Sequence, residues 1–467
     1  MELKDFTSVY FLGIGGIGMS ALARFFQLAG CRVSGYDRTS TPLTDELISE
    51  GMDIHFEDNP DRIPEDVELV VRTPAIPKDS KELIHFEESF FPILKRAEVL
   101  GMISGGYRCV AVAGSHGKTT VTTLTGHLFR TAGMPHIAFL GGISRNYNTN
   151  FLYSEDAKNN IRNRDEKLTL RNERITCIVE ADEFDRSFHH LAPDIALITS
   201  ADADHLDIYH HQDEHKRSFE EFTHKILPGG ILILKHGVEI HYAPSISRVI
   251  RYSGTSEGEY HPDNVKLIDG LFHFDLVTPR GVVPDLILGS PGLFNLENAV
   301  AASAAALESG IASGALAEGL RTFSGVRRRF DMQLHRSNFI YIDDYAHHPE
   351  ELKACIEAVK ILYPGKKITG VFQPHLFSRT RDFADQFATV LSSLDEVILL
   401  DIYPAREKPI PGITSGLLLD KITSKKKKLV GKEDLIPILE ESNPEILLTM
   451  GAGDIDQMVE PIKKAFA

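Results

Sequence analysis

The segment AVAGSHGKTT (111–120) joins an apolar run to a glycine-bearing turn that ends in Gly-Lys-Thr-Thr. This order predicts a buried strand, a phosphate-binding turn and a helix that begins near Thr119. The backbone N–H groups of such a turn, the positive end of the helix dipole and the Lys118 ammonium all favour an anionic phosphate. The spacing is shorter than in the common GxxxxGK[ST] pattern, and the alternative is a structural turn with an incidental lysine. The residues predicted to contact phosphate are Gly114, Ser115, His116, Gly117, Lys118, Thr119 and Thr120.

On both sides of this segment, short runs rich in Val, Ile and Leu alternate with helix-length segments along the whole chain. This alternation is typical of parallel sheets covered by helices, so we predict an α/β fold. Glycine pairs and changes of pattern divide the chain into three predicted domains, at residues 1–104, 105–325 and 326–467. We predict that the first and third are Rossmann-like and that the second is a P-loop domain with a mostly parallel sheet. Residues 154–174 are too polar for a core and are predicted to form an exposed excursion or loop.

Composition narrows the class of protein. The 467 residues are 42% hydrophobic and 25% charged, which is typical of a globular protein. The formal net charge of -16 disfavours a broad nucleic-acid-binding surface, which would need clustered basic residues. Four cysteines lie far apart without CxxC pairs, and this favours reduced thiols in a reducing compartment. No signal-type leader and no apolar run of about 18 residues is visible, so we predict a cytoplasmic protein without membrane contact.

Near the N-terminus, FLGIGGIGMSALA (11–23) places several glycines between a predicted strand and a predicted helix. An acidic residue follows the next predicted strand. This is the fingerprint of a dinucleotide site, in which the glycines admit a pyrophosphate and the acid accepts a hydrogen bond from a ribose or base. The pattern indicates a diphosphate nucleotide without identifying it; NAD is the default choice, and a structural tight turn is the alternative. The candidate residues are Gly15, Gly16, Ile17, Gly18 and Asp37.

Two acidic segments, IVEADEFDRS (178–187) and SADADHLDIY (200–209), follow predicted strands of the second domain. Carboxylates at strand ends beside a phosphate loop are suited to hold a hard cation such as Mg²⁺. We select Glu180 and His205 as ligands, together with the Thr119 hydroxyl, and expect the other acids to be solvated or to cap helices. A zinc site at the histidines of residues 210–215 is the weaker alternative, because no cysteine accompanies them.

Further candidates lie in the later parts of the chain. Asn295 and Asn298 are one turn apart at a predicted helix start, where they could cap the helix or read an adenine edge. The segments RRRFD (327–331), IDDYAHHPEE (342–351) and FQPHLFSRTRD (372–382) place Arg, His and Asp at predicted strand ends. Ligands bind at this edge in doubly wound folds, so two arginines of the last segment could clamp a carboxylate or phosphoryl group. The alternative for each is an ordinary surface role.

Taken together and in this order, these segments resemble the Mur ligase family. The motifs that carry the resemblance are GIGGIGMSALA, GSHGKTT, EADEFDRSF, ADHLD, NLENAVAA, RRRFD, DDYAHHP, FQPHLFSRTRD and GAGDI. They extend over essentially the whole chain. The resemblance implies an N-terminal domain that holds a UDP-sugar, a central ATPase domain and a C-terminal domain that receives an amino acid. It also implies that the N-terminal glycines meet UDP and not NAD.

The resemblance implies an ATP-dependent reaction in which L-alanine is joined to the lactyl carboxylate of UDP-N-acetylmuramate through an acyl phosphate. ATP and Mg²⁺ are the implied cofactors, and the implied catalytic residues are Lys118, Glu180 and His205. Lys118 would contact the transferred phosphate, Thr119 and Glu180 would hold one Mg²⁺, and His205 would serve a second. We expect a monomer or a weak homodimer.

The remaining implied contacts are distributed over all three predicted domains. Asn295 and Asn298 would lie near adenine, and Arg329 and Asp344 would reach the nucleotide from the third domain. The UDP-sugar site would include Thr73 and Arg96, and the amino-acid site would include His347 and Arg379. Leu376 departs from the family pattern, in which a basic residue is frequent at this place, so the amino-acid specificity stays open.

Three alternatives remain at this point. A sister ligase that attaches a preformed peptide to the same sugar would share most of these motifs. A nicotinamide-dependent dehydrogenase fused to a phosphate-binding domain would explain the N-terminal glycines equally well. A nucleotide-binding regulator without catalytic activity would need only the phosphate loop.

Overall fold

The computed structural model describes residues 3–163, 171–201, 212–405 and 407–467. Three parallel-rich sheets follow one another along the chain, each accompanied by helices, and a small antiparallel sheet lies between the second and the third. This architecture confirms the predicted α/β class with three sheet-containing parts. Among the described residues, no helix has both the length and the apolar character needed to cross a membrane.

The first sheet has five parallel strands in the order β3-β2-β1-β4-β5. The strands are β1 (Ser8–Leu12), β2 (Arg32–Tyr36), β3 (Asp53–His55), β4 (Leu69–Arg72) and β5 (Ile93–Lys95). The helices are α1 (Ile17–Leu28), α2 (Pro42–Ser49), α3 (Lys81–Glu88) and α4 (Arg96–Gly105). The direction of the strand order reverses between β1 and β4, where doubly wound sheets bind ligands beyond the carboxyl ends of the strands. Gly13 and Thr73 directly follow these two strands.

The second sheet has seven strands in the order β12-β11-β10-β6-β9-β7-β8, all parallel except β8, which runs antiparallel to β7. The strands are β6 (Tyr107–Ala113), β7 (His136–Phe139), β8 (Phe151–Tyr153), β9 (Asn172–Glu180), β10 (Ile195–Ile198), β11 (Ile231–Lys235) and β12 (Arg248–Tyr252). The helices of this region are α5 (Lys118–Thr131), α6 (Glu155–Arg162), α7 (Gln212–Thr223), α8 (Leu293–Glu308) and α9 (Leu316–Thr322). Strand β6, which leads into the phosphate loop, lies at the centre of this sheet.

Two parts of the second region differ from the sequence-based expectation. The antiparallel strands β13 (His261–Ile268), β14 (Leu271–Thr278) and β15 (Gly281–Leu288) were not predicted. Burial alternates regularly along β14, but β13 and β15 are mostly exposed and each carries an extra residue against β14, so their polar–apolar alternation is interrupted. The polar segment 154–174 is not simply a loop, because α6 occupies residues 155–162. The Ser154 hydroxyl accepts a hydrogen bond from Ala157 N (3.2 Å) and caps this helix.

The third sheet has six strands in the order β16-β17-β21-β18-β19-β20, all parallel except β16. The strands are β16 (Asp331–His335), β17 (Ile340–Asp344), β18 (Ile368–Phe372), β19 (Glu396–Leu399), β20 (Lys426–Leu429) and β21 (Ile446–Met450). The helices are α10 (Pro349–Leu362), α11 (Phe377–Asp382), α12 (Ala384–Leu391), α13 (Ser415–Lys421), α14 (Leu435–Ser442) and α15 (Val459–Phe466). Short 3-10 helices lie at Leu3–Asp5, Pro60–Arg62, Phe184–His190, Ser313–Ala315, Lys432–Asp434 and Asp454–Met458.

The chain divides into two compact units. Met1–Gly289 with Leu296–Ser324 form the first, and Ser290–Asn295 with Gly325–Ala467 form the second. The first unit contains both the first and the second sheet, because buried residues of the two sheets belong to one continuous hydrophobic cluster. The predicted domain borders at residues 104/105 and 325/326 remain predictions.

Candidate active site

The predicted phosphate loop lies at the carboxyl end of β6, and its backbone requires glycine at two positions. Gly114 has φ +128° and Gly117, which immediately precedes α5, has φ +81°. A Cβ atom on Gly117 would lie 2.7 Å from the Asn298 Oδ1 atom, and a Cβ on Gly114 would overlap Thr199. At both positions a larger residue would have to adopt an unfavourable positive φ and would clash with a neighbouring side chain. The resulting turn, followed by the N-terminus of α5, has the shape needed to hold a phosphate group.

The phosphate loop is held in place by two residues, Thr199 and Ser200, that directly follow the neighbouring strand β10. The Thr199 hydroxyl donates to the carbonyl oxygens of Ala113 (3.2 Å) and His116, and the Ser200 hydroxyl accepts from His116 N (3.0 Å). Sequence reasoning missed both residues. Their signal was available, because they follow an apolar run that was predicted to lie in the same parallel sheet as β6.

Lys118 is anchored by the loop itself and by a buried carboxylate. Its Nζ atom donates to the carbonyl oxygens of Gly114 (2.5 Å) and Ser115 (3.4 Å), and it forms an ion pair with Glu183 at 2.8 Å. Glu183 is fully buried. Burial lowers the pKa of Lys118, but Glu183 and the neighbouring carboxylates outweigh burial, so the pKa lies above its ordinary value. Lys118 is therefore a held, positively charged group beside the phosphate loop.

The predicted metal ligand Glu180 ends β9, where it lies opposite Val112 of β6. Its carboxylate lies against Gly141, and a side chain at that position would overlap it. Thr119 is buried in the first turn of α5, one residue after Lys118. The Thr119 hydroxyl and the Glu180 carboxylate are hard oxygen donors of the kind that Mg²⁺ prefers, so the residues fit this ion.

The third predicted metal ligand, His205, lies outside the described residues, as does most of its acidic segment. Within the described part of the chain, no group of three or more His, Cys, Asp and Glu residues is arranged to hold a metal ion. The two-ion arrangement that includes His205 therefore remains a prediction.

The residues predicted for the diphosphate nucleotide come together where β1 and β4 end. Gly13 has φ +87°, and a Cβ there would lie 2.6 Å from Thr73 Cγ2. Asp37 accepts a hydrogen bond from Gly15 N at 2.8 Å, so it fixes the glycine turn itself. A Cβ atom on Gly18 would lie 2.7 Å from Nη1 of Arg96, so these two residues are in close contact. Gly16 and Ile17 complete the turn, because α1 begins at Ile17 with Gly16 as its N-terminal cap.

Arg96 connects this glycine turn with the acidic segment of the central sheet. Its Nη2 atom lies 3.3 Å from the Asp182 carboxylate. The next residue, Glu183, is the ion-pair partner of Lys118. Two adjacent acids thus hold the predicted UDP-sugar arginine and the phosphate-loop lysine in one neighbourhood. Arg96 and Ser187 also line a small cavity of about 20 Å³.

The two asparagines at the start of α8 differ in their contacts. Asn298 lies against the phosphate-loop residue Gly117, as described above. Asn295 is buried, and its side-chain amide donates to Pro291 O (2.6 Å) and Ser290 Oγ (3.2 Å). The structure therefore gives Asn295 a local role in the preceding turn, while the adenine contact of both residues remains a prediction.

In the second compact unit, Asp344 shapes the turn that carries Arg329. Its carboxylate accepts hydrogen bonds from Phe330 N (2.6 Å) and Ala346 N (2.7 Å). Burial raises the pKa of Asp344 to about 6. The Arg329 guanidinium stacks 4.9 Å from the Tyr345 ring centre. Asp344 is thus a support of this turn, and its predicted contact with the nucleotide remains a prediction.

The predicted amino-acid residues His347 and Arg379 form a cluster with two residues that sequence reasoning missed. The ring centres of His347 and His375 are 6.0 Å apart, and Arg379 Nη1 lies 3.4 Å from His375 Nδ1. Tyr403 stacks on His375 at 5.8 Å. Burial lowers the pKa of His347, which favours its neutral form. His375 lies in the segment FQPHLFSRTRD (372–382), and Tyr403 lies in the segment DIYP (401–404) shortly after β19.

Leu376, next to this cluster, has a strained backbone with φ +70° and ψ 136°. This region of φ and ψ is costly for a side chain larger than glycine. The adjacent helix α11 is held by Glu407, whose carboxylate accepts from Ser378 N (2.9 Å) and the Ser378 hydroxyl. The strained residue therefore lies beside the predicted amino-acid site, and hydrogen bonds to Glu407 hold the helix that follows it.

Three family models match the chain in the order of its three sheets. A model described as the Mur ligase family, catalytic domain, matches residues 8–108. The Mur ligase middle domain matches residues 112–306, and the Mur ligase, glutamate ligase domain, matches residues 328–453.

Curated and solved proteins agree with these matches. The chain is 48% identical to a UDP-N-acetylmuramate--L-alanine ligase of Flavobacterium psychrophilum, over 99% of both chains. It is 46% identical to the enzyme of the same name from Parabacteroides distasonis, over 99% of this chain and 98% of that protein. The crystal structure of the UDP-N-acetylmuramate-alanine ligase of Thermotoga maritima superimposes with a TM-score of 0.80 at 25% identity, covering 98% of this chain and 99% of that one. With full-length relatives at this identity and family models along its whole length, the chain belongs to the Mur ligase family.

Proposed function

We propose that this protein is an ATP-dependent ligase that joins L-alanine to the lactyl carboxylate of UDP-N-acetylmuramate, with release of ADP and phosphate. One observation carries the proposal. Asp182 contacts Arg96, which lies beside the N-terminal glycine turn, and the adjacent Glu183 contacts Lys118, which follows the phosphate loop. A sugar-linked carboxylate and the end of ATP would therefore be bound on neighbouring parts of one compact unit. The names of the relatives at 46 and 48% identity support the same substrates.

The first chemical step has to make a poor electrophile reactive. The lactyl carboxylate attacks the terminal phosphorus of ATP, so that a C–O–P bond forms and ADP leaves with the electrons of the broken bond. Negative charge on the phosphoryl oxygens is stabilised by the Lys118 ammonium and by the N–H groups of the phosphate loop. Thr119 and Glu180 would hold Mg²⁺, which supplies further positive charge against these oxygens. His205 is proposed for a second ion.

The second step consumes the acyl phosphate. The amine of L-alanine attacks its carbonyl carbon, phosphate departs, and the amine loses a proton as the amide forms. Arg379 would hold the amino-acid carboxylate, and the neutral His347 beside it would accept a proton or a hydrogen bond. We include His375 and Tyr403 in this site, because they pack on the same cluster.

The remaining contacts follow the same division of the chain. Gly15, Gly16, Ile17 and Gly18 would face the UDP diphosphate, with Thr73 and Arg96 beside the sugar and Asp37 behind the turn. Asn295, Asn298, Arg329 and Asp344 are proposed for the ATP site. We further propose that the protein acts in the cytoplasm on small molecules, as a monomer or a weak homodimer.

The test is ADP release from ATP and Mg²⁺ with UDP-N-acetylmuramate and each amino acid in turn. We expect the highest kcat/KM with L-alanine. A preference for a preformed tripeptide would identify the sister ligase, and no release with any amine acceptor would favour a regulator. Binding of NADH in place of UDP-sugar would favour the dehydrogenase and contradict the proposal.

A further inference from the structure

The loop of residues 144–150, SRNYNTN, connects β7 to β8 and is held closed by its own backbone. Asn148 N donates to Ser144 O at 2.8 Å, and Ser144 N donates to Thr149 O at 2.9 Å. Asn148 has φ +54°, a conformation that asparagine tolerates better than most residues. The loop is therefore compact, and three of its side chains point to three different elements.

Asn150 ties this loop to the helix that follows the N-terminal glycine turn. The Asn150 side chain is fully buried, and its amide nitrogen donates to Ile17 O (2.6 Å) and Ser20 Oγ (2.8 Å). Its amide oxygen accepts from Arg24 Nη1 at 2.5 Å. Arg24 in turn forms a bidentate pair with Glu50. Asn150 thus makes three hydrogen bonds to α1, two of them within its first turn.

Apolar contacts place the same two elements against each other. Phe25 of α1 packs on Phe139 of β7 and Phe151 of β8, with ring centres 5.8 and 6.2 Å apart. These rings lie on either side of the 144–150 loop in sequence. The buried Asn150 network adds direction to this packing, because hydrogen bonds fix where α1 sits along the sheet, whereas apolar contacts alone tolerate sliding.

Two further side chains connect the loop to the phosphate-loop helix and to the last helix of the unit. The Tyr147 hydroxyl lies 2.6 Å from Nδ1 of His127, which is on α5. The Asn146 amide donates to Thr322 O (2.7 Å) and accepts from Ser324 N (2.9 Å). Helix α5 begins with Lys118, so the loop contacts both the helix after the UDP-sugar turn and the helix after the phosphate turn.

We propose that the 144–150 loop is a positioning element for the reaction, with Asn150 as its main positioning residue, and that it sets the distance between the UDP-sugar and ATP sites. The inference rests on the proposed function, because only a reaction between the two bound molecules depends on that distance. In-line attack requires the carboxylate oxygen and the phosphorus to approach within about 3.5 Å. A misplacement of about 1 Å can lower the rate about 100-fold.

The experiment is the variant Asn150→Ala in the full-length protein, assayed for ADP release with UDP-N-acetylmuramate, ATP and L-alanine. We expect kcat per folded molecule to fall by about 10- to 100-fold. The Kd values for UDP-N-acetylmuramate alone and for ATP alone should each stay within about twofold, because Asn150 is not among the residues proposed to contact either ligand. The matched control is Asn159→Ala, an exposed asparagine on α6, which should leave all three values unchanged.

An unchanged kcat in Asn150→Ala, with lower thermal stability only, would show a purely structural role and overturn the proposal. Weaker UDP-sugar binding at unchanged kcat would place Asn150 in the binding site and would also overturn it. If Asn150→Ala does not fold, Ser20→Ala decides, because it removes one acceptor of the Asn150 amide; we expect a smaller fall in kcat, of about threefold, with both Kd values retained. Wild-type protein without ADP release would refute the proposed function, and the positioning role with it.

Discussion

The two glycine turns of the first compact unit have the same plan but different supports. Each follows a central parallel strand and leads into a helix, α1 in one case and α5 in the other. The turn before α5 leads directly into Lys118, the first residue of that helix, whose ammonium is held by a fully buried carboxylate. The turn before α1 contains no lysine; Asp37 fixes its backbone, and Arg96 lies beside it on another helix.

This difference explains how one fold element can serve two tasks. A turn that only binds a diphosphate needs backbone N–H donors and a nearby positive charge. A group that stabilises charge developing during phosphoryl transfer has to be fixed in advance and water-excluded. Under the proposed function, the Lys118–Glu183 pair would meet the second requirement and the more exposed Arg96–Asp182 pair the first.

The largest effect is expected from Lys118→Ala. Removing the ammonium from the phosphate loop should lower kcat by more than about 100-fold, because one preorganised charge-stabilising group is worth about 3 to 4 kcal/mol. Steady-state ADP release measures this. The double variant Lys118→Ala/Glu183→Gln is the control, because it also removes the buried negative charge that the single variant leaves without its ammonium partner. We expect the double variant to regain thermal stability without regaining turnover; near-normal turnover in either variant would contradict the account.

A smaller effect is expected from Glu183→Gln. Glutamine retains an oxygen that can accept from Lys118 but lacks the charge that orients it, so kcat should fall by about 10-fold. The KM for UDP-N-acetylmuramate should change little. The corresponding variant at the other pair, Asp182→Asn, should raise that KM and leave kcat nearly unchanged. If both variants changed kcat and the KM for UDP-N-acetylmuramate in the same way, the proposed difference between the two ion pairs would be wrong.

Gly18→Ala tests the sugar-nucleotide turn by itself. The added methyl group would lie 2.7 Å from Arg96 Nη1 and displace the guanidinium. Loss of one charged contact predicts a KM for UDP-N-acetylmuramate about 10-fold higher, at unchanged KM for ATP. Gly105→Ala is the matched control, because no atom lies within 4 Å of a methyl group at that position. An increase in the KM for ATP would show that the two turns are not separate sites.

The smallest effect concerns the buried carboxyl group of Glu82, whose Oε1 atom lies 3.6 Å from Nε2 of His55. Glu82 is fully buried and accepts from the Tyr10 hydroxyl at 2.6 Å, with His55 as the other neighbour of that hydroxyl. Burial raises the pKa of Glu82 to about 7 from its ordinary value of 4.5. The folded protein therefore retains a proton that the unfolded chain releases above about pH 4.5, so its stability falls as the pH rises from there to about 7.

This pH dependence should disappear in Glu82→Gln, whose amide does not titrate. Relative to this variant, the wild-type protein should lose on the order of 2 to 3 kcal/mol of unfolding free energy between pH 4.5 and 7. Thermal unfolding midpoints of both proteins across this range measure the difference. Turnover at pH 7 should be the same in both. A wild-type protein that gains stability relative to the variant as the pH rises would contradict the assigned pKa.

The parallel-rich sheets could be predicted from the sequence, because short runs rich in Val, Ile and Leu alternate regularly with helix-length segments in those parts of the chain. Sequence reasoning missed the antiparallel sheet of β13, β14 and β15, because irregular register breaks the alternation of β13 and β15, and it did not identify α6 within a polar segment. The sequence also did not indicate that the first and second sheets form one compact unit. That result depends on buried contacts between distant residues, such as Phe25 with Phe139, which have no local pattern.

For the candidate site, glycines and charged residues directly after strands were predictable from their spacing. Glu183 was expected to be solvated or to cap a helix, and this was wrong, because it is fully buried and pairs with Lys118. Tyr403 was not selected, because its contact forms only in the folded chain. Thr199 and Ser200 were missed although they directly follow a predicted strand. Asp37 and Asp344 were selected as ligand contacts, and the structure shows that both carboxylates accept hydrogen bonds from backbone N–H groups of neighbouring turns, from Gly15 in one case and from Phe330 and Ala346 in the other. Sequence position alone does not separate a residue that contacts a ligand from one that supports the turn beside it.

The central claim is that the sugar-borne carboxylate attacks ATP held by the Lys118 loop. Isotope transfer tests it most directly, with UDP-N-acetylmuramate that carries ¹⁸O in its lactyl carboxylate and with L-alanine and ATP as the other substrates. Attack by the carboxylate predicts one ¹⁸O atom in each molecule of released phosphate, because the carboxylate oxygen that forms the bond to phosphorus departs with it. Formation of the L-alanyl product together with unlabelled phosphate would contradict the account.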